Sequence, residues 1–134
     1  LSTTYKTAGE LKKGHYIVID GEACQIISVD KSKPGKHGAA KVRIQAIGAF
    51  DKKRREAILP VDARVEVPII DKRVAQVTYV GSSEVQLMDL ETFETFEAEL
   101  PEDPDLREKL AVGAEVEYWI ALNKRKIMGV RSKA

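Results

Sequence analysis

Apolar residues recur along this chain with a period of two, the spacing of strands that send alternate side chains into a core. In HYIVIDGEACQIISV, residues 15–29, two apolar runs flank Asp20-Gly21-Glu22. Asp-Gly favours a tight hairpin turn and the surrounding Tyr, Ile and Val favour extended backbone, so a β-hairpin is expected. In AAKVRIQAIGAF, Val42, Ile44 and Ala46 alternate with Lys41, Arg43 and Gln45, as in a strand with one buried face. REAIL and VDARVEV read as two more short strands, the second alternating Val61, Ala63, Val65 and Val67 against Asp62, Arg64 and Glu66 until Pro68 ends it. Five or so short strands with no helical pattern predict a small antiparallel barrel or sandwich over residues 1–68.

The rhythm then changes. VAQVTYV and EVQLMDL lie either side of Gly81-Ser82-Ser83, followed by TFETFEAEL, PEDPDLREKLAVG, AEVEYWIAL and KIMGV. Phe93 and Phe96 would face opposite ways on a continuous strand, so a bulge or bend is expected between them. Asp103 can cap, Pro104 suits a first helical position and Gly113 can terminate, predicting a short helix near residues 104–111. Three strands, a helix and two strands is the order of an OB-fold. The chain is thus read as mainly β, with two small domains, 1–68 and 69–134, each carrying its own set of strands.

Charge sharpens that division. The formal net charge is only +1, but residues 1–68 hold 13 Lys and Arg against 8 Asp and Glu, and residues 69–134 hold 9 against 13. The halves are oppositely charged. A single cysteine, Cys24, cannot form an internal disulfide, which is compatible with a reducing compartment. The opening LSTTYKTAGELKKGH has no apolar core of the signal-peptide kind, and no stretch approaches the roughly 18 apolar residues of a membrane span. A soluble cytoplasmic protein with no membrane association is expected.

Most candidate chemistry fails on spacing. A phosphate-binding loop built on Gly35-Lys36 would need glycine where Asp30 stands and a hydroxyl residue where His37 stands. The metal-ligand types His15, Cys24 and His37 form no close cluster; Cys24 in an apolar strand reads as a buried inert thiol, and His15 as a partly exposed residue at a strand edge. Glu91, Glu94, Glu97 and Glu99 lack the pattern of a calcium loop and read as a solvated acidic face. Any contact of the second domain with nucleic acid would be confined to Asn123-Lys124-Arg125-Lys126.

DKSKPGKHGAAKVR, residues 30–43, survives. Pro34 and Gly35 suit the second and third positions of a type II turn, so that Lys36 emerges as its fourth residue and Gly38 leaves little bulk beyond it. Lys31, Lys33, Lys36, Lys41 and Arg43 against the single Asp30 form a surface that should seek phosphates. The physics alone leaves two readings open: an RNA-directed loop, and a solvated surface.

SKPGKHGAAK closely resembles the loop of the translation initiation factor 5A family, and the likeness extends over the whole chain. The resemblance implies an SH3-like N-terminal barrel and a C-terminal OB-fold with one short helix. It implies that Lys36 is extended by deoxyhypusine synthase with an aminobutyl group from spermidine, giving deoxyhypusine or hypusine, and that no other cofactor is used. It implies a monomeric, non-enzymatic factor that binds the ribosome near the exit site and stabilises peptidyl-tRNA, promoting peptide bond formation at consecutive prolines and assisting termination. Lys33, Gly35, His37, Gly38, Lys41 and Arg43 are carried over as contacts to the tRNA or the modifying enzyme. Ala39, where eukaryotic members usually have a second histidine, points to an archaeal form. The competing reading is an unmodified general RNA-binding module, in which Lys31, Lys41, Arg43 and the run Lys52 to Arg55 would matter as much as Lys36.

Overall fold

The structure, a computed structural model, describes residues 2–33 and 40–132. The chain is mainly β and divides into two compact units, Leu1–Ile69 and Ile70–Ala134.

The first unit contains strands β1 (Thr3–Thr7), β2 (Tyr16–Ile19), β3 (Glu22–Ser32), β4 (Lys41–Gly48), β5 (Arg54–Pro60) and β6 (Arg64–Pro68), with a 3₁₀ turn at Ala8–Glu10. β2 to β5 form one antiparallel sheet in sequence order, while β1 and β6 form a separate two-stranded ribbon. Together they make the SH3-like half-barrel. The expected hairpin joins β2 to β3: Asp20 and Gly21 both have positive φ, 53° and 75°, the geometry that Asp-Gly supplies most readily. The strand expected from residue 61 begins only at Arg64. Val61 and Ala63 instead accept backbone bonds from Gly9 and Ala8, so their alternation serves a turn beneath the 3₁₀ segment. Leu11, Ile17, Ile26, Val42 and Ile44 fill the core, each contributing about 2 kcal/mol by burial.

The second unit contains β7 (Asp71–Val80), β8 (Glu84–Asp89), β9 (Thr95–Glu99), helix α1 (Pro104–Glu108), β10 (Glu115–Ala121) and β11 (Lys124–Ser132). Its sheet order, β11-β10-β7-β8-β9, with β9 and β11 approaching each other, is the curled OB arrangement. The bend expected near Phe93 is a turn over residues 89–94, with Phe93 at a φ of 60° and β9 starting after it. The helix is shorter than the expected 104–111. Asp103 caps it by accepting from Asp105 N–H at 3.0 Å. Beyond Glu108 the N–H groups of Lys109 and Leu110 bond three residues back, to Leu106 and Arg107, so the helix tightens and ends.

Within the core of this unit, around Val77, Val85, Leu87 and Val116, lies one buried acid. Asp89 is 2% exposed. Its carboxylate accepts from Arg73 Nε at 2.6 Å and Nη2 at 3.1 Å, from Tyr118 Oη at 2.6 Å, and from the N–H groups of Glu91 and Thr92. These bonds hold the carboxyl well below the usual carboxylate range, the Arg73 bond first among the causes. Burial, with the bond to Asp89, pushes Tyr118 up to about 12. One side chain thereby ties β7, β8, β10 and the turn before β9.

Candidate nucleic-acid interface

The basic segment joins two paired strands. β3 and β4 remain in antiparallel register as far as Ser32 opposite Lys41, so residues 33–40 connect chain ends held one ladder rung apart. Lys33 and Lys41 are exposed, and among the described residues no acidic side chain pairs with either. Gly35, Lys36, His37, Gly38 and the turn expected at Pro34-Gly35 lie outside the described residues.

The remaining basic side chains differ in how free they are. Arg43 donates to Glu56 at 2.8 Å, a bond that raises its pKa, and stands opposite Asp30's backbone in register. Lys31 donates from Nζ to the Gly9 carbonyl at 2.9 Å. Arg54 donates to Gln45 at 2.9 Å. Arg55 grips Asp51 with two bonds, 3.0 and 2.8 Å, and is largely covered. Lys33 and Lys41, closest to the connection, stay exposed and can attract phosphate, as can Lys52 and Lys53 in the turn before β5.

Cys24 is fully buried, and burial pushes its thiol up, the opposite of what a nucleophile needs. His15 Nδ1 accepts the Lys12 N–H at 3.2 Å, closing a turn. Among the described residues no group of three or more His, Cys, Asp and Glu is arranged to hold a metal ion. In the second unit, Arg125 lies 4.4 Å from the Phe96 ring centre and 3.3 Å from Glu94. Lys124 and Lys126 also have partners. The patch at Asn123–Lys126 is therefore largely engaged in internal contacts. Sequence reasoning passed over Lys12 and Lys13, whose signal was present in LKKGH: two adjacent lysines before a glycine.

The N-terminal unit matches the family described as "Translation initiation factor 5A-like, N-terminal" over residues 2–63. Over its length the chain is 56% identical to the translation initiation factor 5A of Korarchaeum cryptofilum (strain OPF8), covering 98% of each protein. It is 53% identical to that of Hyperthermus butylicus, covering 98% of this chain and 96% of the relative. Among solved structures, a eukaryotic translation initiation factor 5A from Methanococcus jannaschii superposes with a TM-score of 0.84 at 45% identity, over 97% of this chain and 96% of that one. A translation initiation factor eif-5a family protein from Naegleria fowleri superposes with a TM-score of 0.81 at 31% identity, covering 98% and 99%. The relatives are named as translation factors, not as enzymes. Matched from end to end in both sequence and fold, this chain belongs to the translation initiation factor 5A family, a family of translation factors.

Proposed function

We propose that this protein is a cytoplasmic, monomeric factor that binds the ribosome near the exit site and acts through Lys36, extended by deoxyhypusine synthase to deoxyhypusine or hypusine. The extension lengthens the side chain and adds a second amine, so that two cationic donors engage phosphates or riboses of the peptidyl-tRNA. Holding that tRNA in reactive geometry lowers the barrier by orientation, while bond-making chemistry stays with the ribosome. Stalled sequences such as consecutive prolines gain most, and termination is assisted in the same way. Lys33, Gly35, His37, Gly38, Lys41 and Arg43 serve as contacts to the tRNA or the modifying enzyme.

The observation that supports this reading is the ladder from β3 to β4, whose last pair, Ser32 opposite Lys41, flanks the family's lysine motif in the sequence. The internal bonds of Lys31 and Arg55 favour it over a diffuse RNA-binding surface, which needs such cations free. Peptide mass mapping of protein from its native cells should find added mass on Lys36. In a reconstituted translation assay, Lys36→Arg should abolish rescue of a proline-rich messenger. Unmodified native protein with full rescue would sink the proposal, and an equal loss from Lys41→Ala and Lys36→Ala would favour the unmodified RNA-binding module.

A further inference from the structure

We propose that a lysine-rimmed apolar cleft in the N-terminal unit docks an acidic, apolar segment of a protein partner. The cleft, about 600 Å³, opens between β3 and the segment that follows the 3₁₀ turn. Leu11, Ile27 and Val29 line its apolar part, Lys12 and Lys13 supply its free charge, and Lys31, bonded to the Gly9 carbonyl, closes one end. No acid lines it.

A local irregularity creates the floor. The β3–β4 register passes from Ile26 opposite Ala46 to Ser28 opposite Gln45, leaving Ile27 as the extra residue of a β-bulge. Ile26 goes to the core, whereas Ile27 stays half-buried and lines the cleft. Bulges re-aim side chains in this way and concentrate next to sites of function.

Both ends of the cleft are fixed. At one end, Lys12 N–H donates to His15 Nδ1, His15 N–H to the Lys12 carbonyl at 3.0 Å, and Gly14 N–H to the Ile26 carbonyl at 2.9 Å, pinning the turn that carries Lys12 and Lys13 onto β3. At the other, the Lys31 ammonium is stapled to the Gly9 carbonyl. A cleft held open this way loses little further freedom on binding.

The chemistry of the lining selects the occupant. The ammonium groups favour carboxylates or phosphates, and the apolar floor favours an aliphatic or aromatic group between them. Among the described residues no aromatic side chain lines the cleft, so single-stranded RNA would find charge but no described ring on which to stack a base. A protein segment with an apolar anchor flanked by Asp or Glu satisfies both parts. This proposal stands independently of Lys36 and its modification.

The test is a selection of displayed random peptides of about twelve residues on the full chain, followed by fluorescence polarisation with the enriched peptides. Enrichment of apolar residues flanked by Asp and Glu is expected, with amide shifts in Leu11 to Lys13 and Ile27 to Lys31. The double variant Lys12→Glu, Lys13→Glu should weaken binding roughly tenfold or more, because exposed rim charges steer and hold an acidic partner. Ile27→Ser should weaken binding without changing its salt dependence, and Lys36→Ala should leave it unchanged. The double variant alters exposed side chains only, so its fold can be checked by circular dichroism before binding is read. Peptides without an acidic bias, undiminished binding to the double variant, or a labelled oligouridine shifting these same amides in place of the peptides would each overturn the proposal.

Discussion

Asp89 concentrates more polar bonding than any other described side chain, and its removal should be felt accordingly. Asp89→Asn leaves Arg73 without its main partner in a nearly closed site, and breaking such a pair costs about 3–5 kcal/mol. Denaturant unfolding followed through the single tryptophan, Trp119, reports directly on this unit. The pH dependence follows from the same bonds. A carboxyl depressed by folding contributes stability that is complete above its unfolded pKa of about 3.9. That contribution is lost as pH falls from there toward the lower folded value. Tyr118 acts at the other extreme: its phenol is raised on folding, so its contribution is complete below about 10 and lost as pH rises through about 12. Wild-type unfolding midpoints measured across both ranges should show both losses, and Asp89→Asn should flatten the acid one. None of this was legible in the sequence. Arg73, Asp89 and Tyr118 are distant in the chain, carry no shared period, and meet only because three strands of one barrel cross at that point.

Individual elements show where pattern reading works and where it fails. The β2–β3 hairpin was legible because Asp20 and Gly21 declare the turn locally. β1 was not: Thr3–Thr7 is mostly exposed and has no apolar alternation, pairing with β6 through the backbone and through Arg64, which lies 3.9 Å over the Tyr5 ring. At the end of β4, Gly48 makes a closer approach than its sequence announces. A Cβ there would collide with Asp51 Oδ1, the oxygen that holds Arg55 and the Lys53 N–H. Gly48→Ala is expected to cost about 1–3 kcal/mol as the turn shifts to relieve the overlap. Faster labelling of the buried Cys24 thiol by an aromatic disulfide would register the shift locally, because Cys24 stands opposite Gly48 in the β3–β4 register. On β8 and β9 the reverse holds. Glu84 and Glu97 are like charges brought together by the β8–β9 pairing, and Glu97 is the main cause that raises the Glu84 carboxyl. Glu97→Gln should therefore raise the unfolding midpoint at neutral pH, and the gain should vanish as pH falls through the ordinary carboxylate range.

At the scale of the molecule, each unit owns its core, its sheet and its turns, and no described side chain in the hydrophobic cluster of one belongs to the other. Expressed alone, residues 1–69 and residues 70–134 should each give dispersed amide spectra and a cooperative unfolding transition. Their small size should leave both with modest stability. Loss of one spectrum on separation would show that the units depend on each other. In the sequence, two sets of strands and a change of charge sign are what suggested two domains meeting near Pro68. The lysine proposed to carry the function was not readable in the same way: turn chemistry marks Lys36 as prominent, and only the family likeness attaches a modification to it.

The ladder that ends at Ser32 and Lys41 has one further effect. Val42, the next residue, is fully buried, so the chain passes from the connection into the core within a single step. Lys33, the described side chain that opens the connection, is exposed and belongs to no core cluster, so replacing it removes nothing the core depends on. Selection could thus change reach and charge at this position while the barrel kept its melting temperature, an evolutionary latitude that a residue one step into the packed sheet, such as Val42, would lack.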